Sequence, residues 1–164
     1  MEIERKWLVK GFPETLTCSG RAVMRQGYIS TRPTVRIREK TGAGEPSYVL
    51  CFKGAGTLAR EEIETDISAE LFARLERFIG KPLITKDYRV YALDGGLTLE
   101  VSRVDEGLPT EFCYAEVEFD SVEAAHAFDA SQLPFLGEEL TEVPGSSMSA
   151  YWERTRGEGA GEIS

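Results

Sequence analysis

The chain has 164 residues, of which 41% are hydrophobic and 29% charged, and it carries a formal net charge of −9 at neutral pH. The length suits one soluble domain with a hydrophobic core, while the acidic balance argues against nucleic acid, and no apolar run approaches the ~18 residues of a membrane span. Because no secretion signal is visible and Cys18, Cys51 and Cys113 lack metal-ligand spacing, we expect a cytoplasmic protein with reduced thiols and no membrane partner.

Eight short strand-like runs follow one another along the chain, most of them with alternating apolar and polar residues. They cover residues 2–9, 23–31, 34–40, 47–53, 60–67, 85–93, 97–103 and 112–119. Glycine-containing turns at 41–44, 54–56 and 94–96 connect several neighbours. Such short connections favour antiparallel pairing, and the sequence therefore predicts a mainly antiparallel β architecture.

Three helices are predicted between or after these strands. Ser68 is suited to cap a helix that ends at about residue 79, and Ser121 to cap one that runs to about residue 128. A third helix is expected from Ser147 towards residue 154. We predict a single domain over residues 1–156 and a disordered tail over 157–164, where apolar periodicity is lost.

Charge is segregated among the predicted strands. Residues i and i+2 of a strand share one face, and some faces carry only carboxylates while others carry only basic groups. An ordinary solvated face explains any single strand, but a solubilising surface mixes both signs. Taken together, separate acidic and basic walls indicate a cavity that holds a metal ion and its anion.

The residue types on these walls suit a triphosphate bound with a divalent metal. Mg²⁺ and Mn²⁺ bind through carboxylates together with substrate phosphates, and the candidate metal ligands are Glu2, Glu4, Glu62, Glu64, Glu116 and Glu118. The polyanion needs cations, and the candidate phosphate-binding residues are Lys6, Arg36, Arg38, Lys53, Arg60, Lys86 and Arg89. Phosphoryl transfer relies mostly on positioning and charge neutralisation, and the candidate catalytic residues are Glu2, Glu4, Glu116, Glu118 and Lys86.

These residues also carry a resemblance to a known family. Glu2-Ile3-Glu4-Arg5-Lys6 resembles the ExExK signature of CYTH proteins, the triphosphate tunnel metalloenzymes. Further matching segments in the family's order are Arg25-Gln26-Gly27-Tyr28, Val35-Arg36-Ile37-Arg38, Phe52-Lys53, Arg60-Glu61-Glu62 and Glu116-Val117-Glu118-Phe119. ExExK alone arises by chance, whereas this combination over residues 1–143 is specific.

The resemblance implies an α+β fold: an eight-stranded antiparallel closed β-barrel with a few flanking helices, whose lumen holds the triphosphate. It also implies an activity that depends on Mg²⁺ or Mn²⁺, with metal-binding or water-orienting roles for the paired glutamates. The opening residues 2–9 are most similar to small bacterial inorganic triphosphatases. We therefore expect a metal-dependent triphosphatase that acts on tripolyphosphate and forms a homodimer.

Two departures from the family pattern affect this expectation. Similar proteins often have Lys-x-Arg where this chain has Lys86-Asp87-Tyr88-Arg89, and strict alternation turns Arg89 away from the Lys86 face unless a bulge redirects it. The segment at residues 143–147 also lacks the cation that similar proteins carry there. Thiamine triphosphatase, class IV adenylyl cyclase and a non-catalytic polyphosphate- or nucleotide-binding module therefore stay open as alternatives.

Overall fold

A computed structural model describes residues 1–157, in which nine strands and three α-helices follow one another. The strands are β1 Glu2–Val9, β2 Cys18–Thr31, β3 Thr34–Thr41, β4 Ser47–Lys53, β5 Ala59–Arg60, β6 Glu62–Asp66, β7 Ile84–Ala92, β8 Thr98–Val104 and β9 Phe112–Glu118. The helices are α1 Ala69–Ile79, α2 Val122–Ala127 and α3 Met148–Arg156. The part of the predicted tail at 158–164 lies outside the described residues.

All nine strands belong to one antiparallel sheet that curls into a nearly closed barrel. Their order is β5-β1-β9-β8-β7-β2-β3-β4-β6, so the two edge strands are consecutive in the sequence. Glu2 of β1 pairs with Arg60 of β5, and Lys53 of β4 pairs with Glu62 of β6. Between them, the carbonyl of Glu61 accepts a hydrogen bond of 2.9 Å from the Gly54 N–H. The barrel therefore nearly closes at Glu61.

The predicted strand at residues 60–67 is the one that the structure divides. Its first part continues β1 and its second part continues β4, because the chain changes partner at Glu61. The nine strands thus correspond to the eight predicted ones, with one split. The predicted antiparallel barrel with a few helices is confirmed, although it is nearly closed rather than closed and β2 begins at Cys18, before the predicted residue 23.

The helices begin where the sequence places capping residues. The side chains of Ser68, Ser121 and Ser147 each accept a hydrogen bond from a backbone N–H in the first turn of α1, α2 and α3. Helix α1 ends at Gly80, whose φ of 69° is the left-handed conformation that favours glycine. No helix of the described residues is long and apolar enough to cross a membrane.

Most of the hydrophobic core packs against the outer face of the barrel, and this leaves the interior mainly polar. On β1, Trp7 and Val9 pack into one cluster with residues of β8, β9 and α2. A second cluster joins Tyr28 and Ile37 to buried residues of α1 and α3, including Phe72. Since adjacent residues of a strand point to opposite faces, burial of Trp7 and Ile37 outside turns their charged neighbours inward, whereas Tyr28 itself faces the interior.

Candidate functional site

The barrel encloses a cavity of about 600 Å³ that both acidic and basic side chains line. The acidic ones are Glu2, Glu4, Glu62, Glu64, Glu100, Glu116 and Glu118. The basic ones are Lys6, Arg36, Arg38, Lys40, Lys53, Arg60 and Lys86. Every sequence-predicted site residue except Arg89 therefore lies on the wall of one cavity.

Strand register explains how distant parts of the sequence meet there. In the pairing of β1 with β9, Glu4 lies opposite Glu118 and Lys6 opposite Glu116. On the other side of β9, Glu116 lies opposite Glu100 of β8. The two acidic pairs, which lie near opposite ends of the sequence, thus become neighbours in the sheet.

Glu4 and Glu116 form a hydrogen-bonded carboxyl pair inside the cavity. Burial and the negative charge of Glu116 raise the pKa of Glu4 to about 9. Burial would also raise the pKa of Glu116, but Lys6 and Lys86 outweigh it and lower that pKa below its ordinary value. One carboxyl group of the pair therefore holds a proton at neutral pH, because two neighbouring carboxylates repel each other when both are ionised.

Glu2 and Glu62 form a second carboxyl pair, next to Lys53. The Lys53 ammonium lies 3.0 Å from a Glu2 oxygen and 3.3 Å from a Glu62 oxygen, and Arg60 lies 3.4 Å from Glu2. Burial opposes ionisation of Glu2, but the charge of Lys53 and a hydrogen bond from Glu62 lower its pKa to about 2. Burial and the neighbouring Glu2 raise the pKa of Glu62.

A group of potential metal ligands includes the cysteine of β4. One ligand atom from each of Cys51, Glu62 and Glu64 lies within 4.8 Å of the others. Cys51 is completely buried, and this burial raises the pKa of its thiol. The carboxylates of this group also line the cavity, so the oxygen donors available to a divalent cation extend from β1 and β9 across to β6.

The oxygen-rich donor set fits Mg²⁺ or Mn²⁺, which prefer carboxylate ligands. Both carboxyl pairs include a residue of β1, and in each pair burial and the neighbouring carboxyl group raise the pKa of one member. A divalent cation would replace the shared proton of such a pair. Glu2, Glu4, Glu116 and Glu118 are the residues that would hold such a metal ion, with Glu62 of β6 close to Glu2 through their shared contact with Lys53.

The basic residues of the opposite wall are buried, yet carboxylates neutralise few of them directly. Arg36 is 7% exposed and Lys86 3% exposed. Arg38 donates to the Gln26 side-chain oxygen at 3.0 Å, and Lys86 donates to the Tyr114 hydroxyl. Burial together with the charge of Arg38 lowers the pKa of Lys86 well below its ordinary value. This cluster of buried cations is suited to an incoming polyanion.

Arg89, a predicted phosphate-binding residue, is the one that the structure does not bring to the cavity wall. Arg89 pairs with Asp87 at 3.1 Å and lies over the Phe12 ring at 3.7 Å, outside the cavity. Strand β7 keeps strict alternation at this point, since Lys86 to Ala92 pair with β8 without a register shift. Tyr88, rather than Arg89, shares the inward face with Lys86.

The C-terminal arginines do not supply a replacement cation. Arg154 donates to the Gly145 carbonyl at 2.6 Å, and Arg156 forms a buried ion pair of 2.8 Å with Asp105. Neither residue lines the cavity. Residues 143–149 nonetheless form part of the cavity wall, so that a segment without any basic side chain closes this side.

Sequence reasoning missed several polar residues of the cavity. Glu100 accepts a hydrogen bond from the Tyr88 hydroxyl, and Gln26 is completely buried beside Arg38. The Tyr114 ring lies 4.4 Å from the Lys6 ammonium. Alternation offered a signal for Glu100, because Leu99 and Val101 on either side of it are apolar and both fully buried.

A family model described as the CYTH domain matches residues 1–145 of the chain. Among solved structures, the inorganic triphosphatase NE1496 is 28% identical, with a TM-score of 0.63 and coverage of 92% of this chain and 93% of that one. The PH1819 protein from Pyrococcus horikoshii OT3 is 19% identical, with a TM-score of 0.65 and coverage of 95% and 100%. The PH1819 likeness shows a shared fold. A comparison with curated proteins gave no significant match.

Proposed function

The chain belongs to the CYTH domain family, and we propose that it hydrolyses inorganic tripolyphosphate inside the barrel, with Mg²⁺ or Mn²⁺ bound by the glutamates. The main support for this proposal is the cavity, which is lined both by carboxyl groups of β1 and β9 and by buried basic residues of β3 and β7. An anion-binding cavity without catalysis would gain nothing from the acidic wall. The similarity to the inorganic triphosphatase NE1496 over 92% of the chain supports the choice of substrate.

Substrate binding is the task of the basic wall. Arg36 and Arg38 present guanidinium groups, which bind phosphate oxygens bidentately, and Lys6 and Lys86 contribute point charges. These groups are held in place before substrate arrives, because neighbouring strands and buried side chains such as Gln26 fix their positions. Preorganised charge of this kind favours the transition state of phosphoryl transfer, in which charge moves onto the phosphate oxygens.

The acidic wall provides the metal ligands and orients water. A bound divalent cation would neutralise phosphate oxygens and polarise the terminal phosphorus. A carboxylate of the wall accepts a proton from the attacking water, whose oxygen forms a bond to the terminal phosphorus. The bond from that phosphorus to the bridging oxygen breaks, and pyrophosphate and orthophosphate leave. Lys86 stabilises the negative charge that develops during this step, since its ammonium is buried in the same cavity.

The test measures phosphate release from tripolyphosphate, ATP and thiamine triphosphate, with Mg²⁺, with Mn²⁺ or with EDTA. Glu4→Gln removes a proposed ligand at equal volume, and Glu61→Gln is the matched control, since that exposed carboxylate does not line the cavity. We expect metal-dependent release that favours tripolyphosphate, is lost in Glu4→Gln and is retained in Glu61→Gln. Equal release with EDTA would contradict the metal dependence, and preference for thiamine triphosphate or ATP would contradict the substrate.

A non-catalytic polyphosphate-binding module is the second candidate. The lack of any basic side chain in the wall segment 143–149 favours it, because one wall of the cavity then offers no side-chain cation to the substrate. In that case tripolyphosphate would raise the melting temperature of the protein without being cleaved. If none of the three triphosphates is cleaved and none raises the melting temperature, both candidates are contradicted.

A further inference from the structure

The N-terminus of helix α3 opens into the barrel cavity. Residues 146–149 line the cavity, and α3 begins at Met148 after the capping residue Ser147. The first N–H groups of a helix have no carbonyl partner within it. The Ala150 N–H donates to the Ser147 hydroxyl at 3.1 Å. The N–H groups of Met148 and Ser149 have no hydrogen-bond acceptor among residues 1–157.

A second observation, on β3, points to an anion in the same cavity. Arg36 is 7% exposed and lines the cavity, and its Nε has no hydrogen-bond partner among the described residues. Its register partner on β2 is Tyr28, whose ring lies 5.7 Å from that of Trp152 in α3. Met148 belongs to the same buried cluster. A buried guanidinium N–H without an acceptor is rare in folded proteins and is satisfied when an anion enters.

The ammonium group of Lys6 lies at the same helix end. Its Nζ donates to the Ser146 carbonyl at 2.8 Å, one residue before the cap. An ammonium group has three N–H donors, so this bond leaves donors for a second acceptor. An anion at the start of α3 would therefore meet the Lys6 charge, two free backbone N–H groups and the positive end of the helix dipole together.

We infer that the N-terminus of α3 is a phosphoryl-binding subsite, formed by the N–H groups of Met148 and Ser149 and the Ser149 hydroxyl, together with Lys6 and Arg36. The inference rests on the proposed function for the identity of the anion, one phosphoryl group of a triphosphate. It explains how a wall segment without basic side chains contributes to a polyanion site: backbone N–H groups provide the positive potential there.

The first test uses Ser149→Asp and its neutral match Ser149→Asn in the full chain. An aspartate in the first turn of a helix stabilises that helix through the dipole, yet it places a negative charge where we place the phosphoryl group. We expect Ser149→Asp to melt at the same or a higher temperature than Ser149→Asn without ligand. Its affinity for tripolyphosphate, measured by calorimetry without divalent metal, should be lower by about tenfold or more.

The second test removes one backbone donor. Proline is tolerated at the first helical position, and Ser147 has the extended conformation, with ψ of 157°, that a following proline requires. Met148→Pro and Met148→Ala lose the same buried side chain, but only the proline variant loses the N–H. We expect the Michaelis constant for tripolyphosphate with Mg²⁺ to be about tenfold higher for the proline variant.

The outcomes separate this inference from the proposed function. Equal affinities for Ser149→Asp and Ser149→Asn, or equal Michaelis constants for the two Met148 variants, in a protein that binds or cleaves tripolyphosphate would overturn the subsite alone. A wild-type protein that neither binds nor cleaves tripolyphosphate would overturn both. Binding without cleavage in the wild type, weakened in Ser149→Asp, would support the subsite and contradict only the hydrolase.

Discussion

Replacing Asp105 by asparagine should destabilise the protein strongly, because this carboxylate anchors helix α3 to the barrel. Arg156 donates to both oxygens of Asp105, at 2.8 and 3.2 Å, and the Tyr151 hydroxyl donates at 2.5 Å. The Thr85 N–H adds a fourth bond of 3.1 Å. Asparagine keeps the shape and tolerates the positive φ of 50° at this position, so the substitution changes charge and hydrogen bonding with little backbone strain.

The size of the effect follows from the burial of the pair. The side chains of Arg156 and Asp105 are 8% and 2% exposed. Removing one partner of such a buried pair leaves the other charge uncompensated and costs about 3 to 5 kcal/mol. For a domain of this size, about 3 to 5 kcal/mol lowers the melting temperature by roughly 6 to 20 °C. The amide nitrogen would also face the Arg156 donors, which adds to the loss.

Thermal and urea melting of both proteins at pH 7 and at several lower pH values would measure the effect. Burial opposes ionisation of Asp105, but Arg156 and Tyr151 outweigh it and lower its pKa. The stability from this group is therefore fully present above the unfolded pKa of about 3.9 and is lost as pH falls through the lower folded value. Asp105→Asn should flatten the stability curve in that acidic range.

Glu106→Gln is the matched control for this prediction. Glu106 forms an ion pair of 3.4 Å with Arg103, and the Glu106 side chain is 62% exposed. Loss of this pair should cost less than about 1 kcal/mol of stability. A change of less than about 1 kcal/mol in Asp105→Asn as well would refute the reasoning that the buried pair anchors α3.

Three further predictions follow from the cavity and the packing around it. Arg89→Ala should leave the Michaelis constant for tripolyphosphate unchanged, because Arg89 lies outside the cavity. A higher Michaelis constant in steady-state assays would show that Arg89 does contribute to substrate binding. Lys86→Met should raise that constant by about tenfold or more, because it removes a buried cation from the cavity; an unchanged value would exclude Lys86 from binding. Gly27→Ala should lower the free energy of unfolding by about 1 to 3 kcal/mol, since the added Cβ would lie 2.4 Å from the Leu83 Cδ2 atom; unchanged urea denaturation would show that Leu83 moves aside freely.

The strands and their charged faces could be predicted because these properties are local. Alternation with period two is visible within five residues, so Glu4 and Lys6, or Arg36 and Arg38, are assigned to one face without knowledge of their neighbours. Serine caps and Gly80 mark the helix ends in the same local way. Where the local pattern was strict, as at Lys86 and Tyr88, it also indicated correctly that Arg89 turns away.

The division of one strand at Glu61 and the role of Glu100 were missed for different reasons. Whether residues 60–67 pair with one neighbour or two depends on how the sheet closes, which is a property of the whole barrel. Glu100 is a single acidic residue in its strand, so no second charge at i+2 marked that face as part of the wall. The only indication that Glu100 faces the cavity was its position between the apolar residues Leu99 and Val101.

The sequence by itself determined the fold class, the family and most of the charged residues of the cavity, since these depend on residue types and short spacings. Only the tertiary structure decided which charges meet. The register of β1 against β9 brings Glu4 and Lys6 to Glu118 and Glu116, and the docking of α3 brings its N-terminus to the cavity wall. Both depend on contacts between residues far apart in the chain, because strand register and helix docking minimise the free energy of the whole barrel rather than of any segment.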